Sequence, residues 1–285
     1  MAAVFKDDYH VHLTSRPKWL ALNLKEVWDY RDLVVLLAKR TFTLSYKQTI
    51  LGPLWIIITP FISALAYTVV FGRIAGITTD GVPRVLFYLC NNAIWSMFAT
   101  SVTSNAHIFT TNAAIFGKVY FPRLTVPLSN IIVSAIRFGL QFIVILTFLI
   151  YYVPHGDVSP AWYLWPLIPV ILLHLGVMGM SVGILVSSLT TKYRDLAIVV
   201  SFGMTLWMYG TPIVYPMSQL EDGLLKTVIM ANPVTAPVEV FRLAMFGQAT
   251  ILPSSLIMSL AFTAVCAFFG VIIFNHVEKS FMDTV

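Results

Sequence analysis

Three sets of polar residues recur at helical spacing inside apolar runs. Asn92, Ser96, Thr100, Thr103 and His107 form one; Asn130, Ser134, Arg137 and Gln141 form a second; Trp55, Thr59, Ser63 and Tyr67 form a third. Steps of three and four residues place each set on one helix face. Hydroxyls and amides aligned in this way either glue helices together or line a partly hydrated path. Three stripes in one chain weigh toward the path. Arg137 is the sharpest member, because a charge in an apolar helix ordinarily faces a cavity or a partner.

Other chemistry is absent. Gly117–Lys118 is followed by Val119, and Asn112 stands where a phosphate-cradling loop would need its first glycine. Neither H-E-x-x-H nor G-x-S-x-G occurs, and no paired carboxylates lie in an apolar run. Of thirteen acidic residues none lies well inside a predicted span, so proton or sodium coupling lacks its usual groups. Any uphill movement must draw its energy from another chain. His10, His12, His155 and His276 form no cluster, and His107 and His174 stand alone. Cys90 and Cys266 sit in apolar runs without metal-ligand spacing and read as small buried hydrophobes. An integral-membrane glycosyl- or acyltransferase, which needs acids or histidines at a membrane face, is therefore disfavoured, as is a purely structural membrane protein.

These residues must be positioned by elements that suit lipid. Of 285 residues 58% are hydrophobic and 11% charged, against about 25% charged in soluble domains. The mean hydropathy is +0.82. Six stretches meet the requirement of about 20 apolar residues for a span: roughly 51–72, 85–106, 124–153, 162–190, 196–217 and 254–275. The segment 224–246 holds Lys226, Asn232, Pro233, Pro237, Glu239 and Arg242. It reads as two short helices that enter from one face and return, within a re-entrant region spanning 218–250. Third-span residues 124–153 exceed the hydrocarbon thickness at about 1.5 Å per residue, which draws Arg137 toward a headgroup layer.

The net charge of +5 is that of a membrane protein with basic loops, not of a nucleic-acid binder. With the amino terminus inside, thirteen Lys and Arg fall on the inner side, four on the outer side, and Arg137 in a span. Both termini are thus expected in the cytoplasm. No cleavable signal core precedes residue 30, so the first span is expected to serve as an uncleaved insertion signal. Residues 1–50 read as a cytoplasmic tail and interfacial helices ahead of a six-helix domain over 51–285. Pro17 suits a first helical turn with Thr14 or Ser15 as cap. Leu20, Leu24, Val27 and Trp28 then follow at helical spacing, and Trp19 and Trp28 suit a headgroup layer. Gly176, Gly179 and Gly183 permit close helix approach, within the chain or between two copies. The expected fold is therefore an all-α integral membrane protein: six transmembrane helices, an amphipathic interface helix before them, and short re-entrant helices before the last.

Several segments resemble the transmembrane permease subunit of polysaccharide ABC exporters, the group serving O-antigen, teichoic-acid and related capsule export. RDLVVLLAKR (31–40) and YKQTILGPLW (46–55) look like the family's amino-terminal signature. KVYFPRLTVPLSN (118–130) resembles its link between the second and third spans, and KYRDLAIVV (192–200) its inner loop before the fifth. YGTPIVYP (209–216) and NPVTAPVEVFR (232–242) look like its outer re-entrant region. In LCNNAIW (89–95), Asn91–Asn92 replaces an expected glycine-containing step.

The resemblance implies two permease copies and two copies of a separate ATPase, with a channel between the permeases. ATP and Mg would sit on the ATPase, leaving this chain without cofactor or enzymatic activity. The substrate would be a polysaccharide linked to undecaprenyl diphosphate, and the location the bacterial cytoplasmic (inner) membrane. Residues 110–121, around Phe116, Gly117, Lys118 and Tyr120, would form a helix coupled to the ATPase. Trp28, Arg31 and Arg40 would gate entry of the lipid carrier, the three stripes would line the channel, and Tyr215, Glu239 and Arg242 would form an outer gate. The alternative with the same plan is the permease of a drug or small-lipid ABC exporter.

Overall fold

A computed structural model describes residues 24–116, 121–192 and 195–282. Every regular element among the described residues is helical. Among the described residues α1 (Leu24–Asp29) and α2 (Arg31–Tyr46) come first. The expected amphipathic helix from Pro17 to Trp28 thus lies mostly outside the described residues, which begin at its last turns. A 3-10 turn, Gly52–Leu54, opens the first span. The span continues as α3 (Trp55–Tyr67) and finishes in a π-helical stretch, Thr68–Ile74. α4 (Arg84–Ala106), the short α5 (Ile108–Phe116), α6 (Thr125–Tyr152) and α7 (Ile168–Lys192) follow. The chain closes with α8 (Leu196–Tyr209), α9 (Leu224–Ala231), α10 (Thr235–Phe246) and α11 (Pro253–Met282).

Among the described residues five helices are long and apolar enough to cross a membrane: Gly52–Ile74, Arg84–Ala106, Thr125–Tyr152, Trp162–Ser188 and Pro253–Asn275. α9 and α10 are bent from each other by 86° and supply a sixth apolar passage if counted together. The chain is therefore a multi-pass membrane protein, and the two short helices expected over 224–246 are present. The stretch 196–217 differs from expectation, since it is helical only through Tyr209, 14 residues. At about 1.5 Å per residue α8 is roughly 21 Å long, short of the hydrocarbon thickness. Its end has a local cause. Gly210 caps it, donating its N–H to the Leu206 carbonyl at 3.1 Å. Pro212 then follows, and its ring disfavours helical geometry in the residue before it.

α4 is the hub, buried along most of its length and packed against α3, α6, α7, α8 and α10. Its closest neighbour is α7, and glycines set the spacing. A Cβ on Gly179 would lie 2.6 Å from Ser101 Cβ, and one on Gly183 would lie 2.5 Å from the Val102 carbonyl oxygen. The glycine stripe is thus used inside the protomer. A second, smaller core closes one end of the bundle. There Leu37 of α2, Ile108, Phe109 and Phe116 of α5, Phe121, Val126 of α6, Ile184 of α7 and Phe274 of α11 pack together. The opposite end carries the bent pair α9–α10.

Candidate functional site

The three polar stripes meet different fates. On α4, Asn92, Ser96 and Thr100 are half-buried, and the side chains of Asn92 and Ser96 make no hydrogen bond among the described residues. On α3, Trp55 and Thr59 are exposed and Ser63 is half-buried. Tyr67 is half-buried, sends its hydroxyl toward Met208 Sδ at 3.7 Å, and meets the Tyr88 ring edge-on at 6.1 Å. On α6, Asn130, Ser134 and Gln141 are covered within the protomer. Asn130 donates to Asn105 Oδ1 of α4 at 3.2 Å, and Ser134 donates to the Asn130 carbonyl at 3.0 Å. None of these three opens onto the surface of this chain, and Asn130 meets α4. Arg137 donates from a terminal guanidinium nitrogen to Ser45 Oγ on α2 at 2.9 Å.

Two of the three residues expected to form an outer gate come together. Glu239 and Arg242 lie one turn apart on α10, are both buried, and form a salt bridge. Arg242 also donates to the Pro212 carbonyl and stacks its guanidinium over Phe87 of α4, 4.9 Å from the ring centre. Glu239 accepts from the Thr250 N–H at 3.0 Å. A buried charge is tolerated when it is paired, and here only Arg242 Nε is left without a partner among the pair's buried polar atoms. The pair thus joins α10, the loop after α8 and the loop before α11. Tyr215 is half-buried and donates to the Tyr209 carbonyl at 3.0 Å.

Asn91, read in the sequence as a departure from the family pattern, has a structural task. Its amide donates to the Ile213 carbonyl at 2.9 Å. Arg242 and Asn91 therefore hold consecutive carbonyls of the loop after α8. Asn232 performs a similar task at the bend between α9 and α10. It accepts from Trp207 Nε1 at 3.0 Å and donates to the Gly210 carbonyl at 2.7 Å.

At the α5 end, Trp28 and Arg31 come together and are exposed. Arg31 donates to the Trp28 carbonyl at 3.4 Å, with its guanidinium 5.9 Å from the indole. Arg40 is exposed further along α2. Phe116 is buried among Phe109 and Phe121, with ring centres 6.1 and 5.9 Å away. Its side chain anchors α5, and Gly117, Lys118 and Tyr120, expected beside it in the coupling helix, lie outside the described residues. Both cysteines are buried and unbridged, as expected. His174 is not isolated, since its Nε2 lies 2.9 Å from Ser259 Oγ on α11. No cluster with metal-ligand composition occurs among the described residues.

One polar stripe was missed in the sequence. Ser201, Thr205 and Tyr209 of α8 are four residues apart and all exposed. The spacing was legible, but α8 read there as one more apolar span.

Two proteins of Klebsiella pneumoniae, each named O-antigen export system permease protein RfbA, are 29% and 30% identical to the chain over 254 residues. The match covers 88% of this chain and 94% of theirs. A Myxococcus xanthus protein of the same name is 25% identical over 246 residues, 85% of this chain and 90% of its own. The family described as ABC-2 type transporter matches residues 32–246, from the start of α2 to the end of α10. The match takes in α2 to α10, and the chain belongs to the ABC-2 type transporter family.

Proposed function

We propose that this chain is the transmembrane subunit of an ATP-driven exporter that moves a polysaccharide on undecaprenyl diphosphate, an O-antigen or related surface glycan, across the bacterial inner membrane. The observation that carries the reading is likeness along nearly the whole chain to permeases named for O-antigen export. The sequence has no phosphate-cradling loop of its own, in keeping with ATP and Mg being held by a separate ATPase. In this reading two permeases and two ATPases assemble, both termini are cytoplasmic, and the α5 end faces the ATPase.

The glycan path runs between the two permease copies. Exposed polar residues on α3 and α8 support this placement: Thr59 beside Trp55 on one, and Ser201, Thr205 and Tyr209 on the other. Hydroxyls and aromatic faces suit a polar polymer sliding past without a deep pocket. Asn92, Ser96 and Thr100, half-buried on α4, are the inner candidates for the same path. Motion of the ATPase reaches the membrane through α5, and the carrier lipid enters beside α2 near Trp28, Arg31 and Arg40.

Deletion of the gene, with assay of surface glycan and lipid-linked intermediate, tests the reading. Loss of surface polymer with accumulation of polymer on undecaprenyl diphosphate inside the cell is the expected result. Unchanged surface polymer, in a host without a redundant exporter, overturns it in favour of a small-molecule exporter.

A further inference from the structure

Arg137 is a cation in an apolar helix without an acidic partner among the described residues. Its one hydrogen bond there goes to a neutral hydroxyl, Ser45 Oγ. Guanidinium has five N–H donors, and the buried Nε of Arg137 donates to nothing. One turn further along α6, the buried Gln141 has an unpartnered side-chain oxygen. The two ends of a side-chain amide are exchangeable by rotation, so Gln141 can offer either a donor or an acceptor here. Ser45 is itself oriented, donating to the Thr41 carbonyl at 2.9 Å. The nearest acid on α2, Asp32, lies thirteen residues before Ser45, roughly 20 Å along the helix.

Depth makes this arrangement unusual. Counting about 20 residues back from Tyr152 puts the hydrocarbon boundary near Ile132, and Arg137 falls inside it. Intramembrane arginines pair with an acid, line a water-filled cavity, or meet a ligand. Here the pairing acid is missing among the described residues, and unanswered polar atoms are buried beside the charge. Planar guanidinium donors match the oxygens of a phosphate. The exposed cations Lys39 and Arg40 stand on α2 just before Thr41 and Ser45, so an anion arriving along α2 meets positive charge first.

We propose that Arg137, Gln141 and Ser45, at the junction of α2 and α6, form a binding site for a phosphate group carried by a membrane lipid. The site holds that phosphate a few ångströms deeper than the headgroup layer, with the lipid tail alongside α6. The idea deepens the export reading by giving the carrier's diphosphate a station, and it rests on that reading for the choice of carrier. A phospholipid headgroup shares the chemistry, so the test separates the two sources.

The full-length protein is placed in phosphatidylcholine nanodiscs and offered a polyprenyl diphosphate, the matching polyprenol, and phosphatidylglycerol, with retained lipid read by native mass spectrometry. The expected result is a preference of about tenfold or more for polyprenyl diphosphate over polyprenol. Arg137→Gln, which keeps a side chain able to reach Ser45, abolishes that preference, and Arg137→Lys retains part of it. If phosphatidylglycerol competes equally and loses to the same substitution, the site is a phospholipid headgroup site. If it does not compete, the phosphate is that of the carrier. Should Arg137→Gln fail to fold, the wild-type comparison and Gln141→Leu, expected to weaken the preference several-fold, still decide. Equal retention of phosphorylated and unphosphorylated lipid by the wild type, or an undiminished preference in Arg137→Gln or in Gln141→Leu, overturns the site. That failure leaves the export reading standing, because gene deletion reads transport without reference to Arg137.

Discussion

Glu239 and Arg242 illustrate how much a single residue in this chain depends on its partner. Each charge is covered, and each is satisfied chiefly by the other and by nearby loop backbone. Removing one member of a buried pair costs about 3–5 kcal/mol, because the other is left uncompensated. Glu239→Ala is therefore expected to lower the midpoint of thermal unfolding in mild detergent and the amount of chain recovered from membranes. The double change Glu239→Leu with Arg242→Met restores part of that loss, since it removes both charges at once. An additive double change would show that the two residues do not act as a pair. The sequence displayed both residues and their one-turn spacing but not their burial. The stripes have the same limitation. Asn130–Ser134 and Asn92–Ser96 have identical spacing, yet one set is covered and the other half-open. Periodicity defines a face, and only the neighbouring helices decide what that face meets.

At the scale of helices the sequence was a better guide. Span lengths follow from hydropathy alone, and the prolines of 224–246 announced its break. The end of α8 was harder to see, because apolar residues continue through Ile213 and Val214 after the helix has stopped. There Gly210 and Pro212 decided against hydropathy. Gly179 and Gly183 carry the sharpest helix-scale expectation. α4 and α7 touch with almost backbone-to-backbone closeness, so Gly183→Leu forces the two helices apart against Val102 and Asn105. Overpacking of this kind typically costs about 1–3 kcal/mol, occasionally more. The same substitution at Gly203, whose Cβ would meet nothing within 4 Å, should leave unfolding unchanged. Comparable midpoints for the two variants would contradict tight α4–α7 packing. The core at the α5 end gives a second test. Phe116 packs with Phe109, which in turn lies 5.4 Å from Phe274 of α11. Phe116→Ala should lower surface glycan by more than it lowers chain abundance, because α5 then moves without carrying α2 and α11. Loss of glycan in strict proportion to loss of chain would reduce the cluster to a stabilising role.

The whole molecule must bury or wet surfaces that one protomer leaves open, and the kind of open surface differs from side to side. α11 presents Leu256, Ile257, Leu260, Val265, Phe268 and Phe269, a face with nothing to offer except to lipid. α3 and α8 are also widely exposed, but their open faces mix apolar residues with Thr59, Ser201, Thr205 and Tyr209. Ser201 and Thr205 donate to carbonyls of their own helix, but their oxygens keep free lone pairs and the Thr59 hydroxyl has no partner among the described residues; lipid tails answer neither, whereas a second protein surface or a hydrated path does. Two copies joined through α3 and α8 would place these hydroxyls at the seam and leave α11 toward the bilayer. The native cysteines are buried, so single cysteines introduced at Thr205 and at Phe269 give a clean comparison. In native membranes a short bismaleimide should join copies through position 205 and leave the position 269 variant monomeric. Dimers forming through position 269 and not through 205 would turn the molecule around in its assembly. The path for the glycan would then have to be sought on another face.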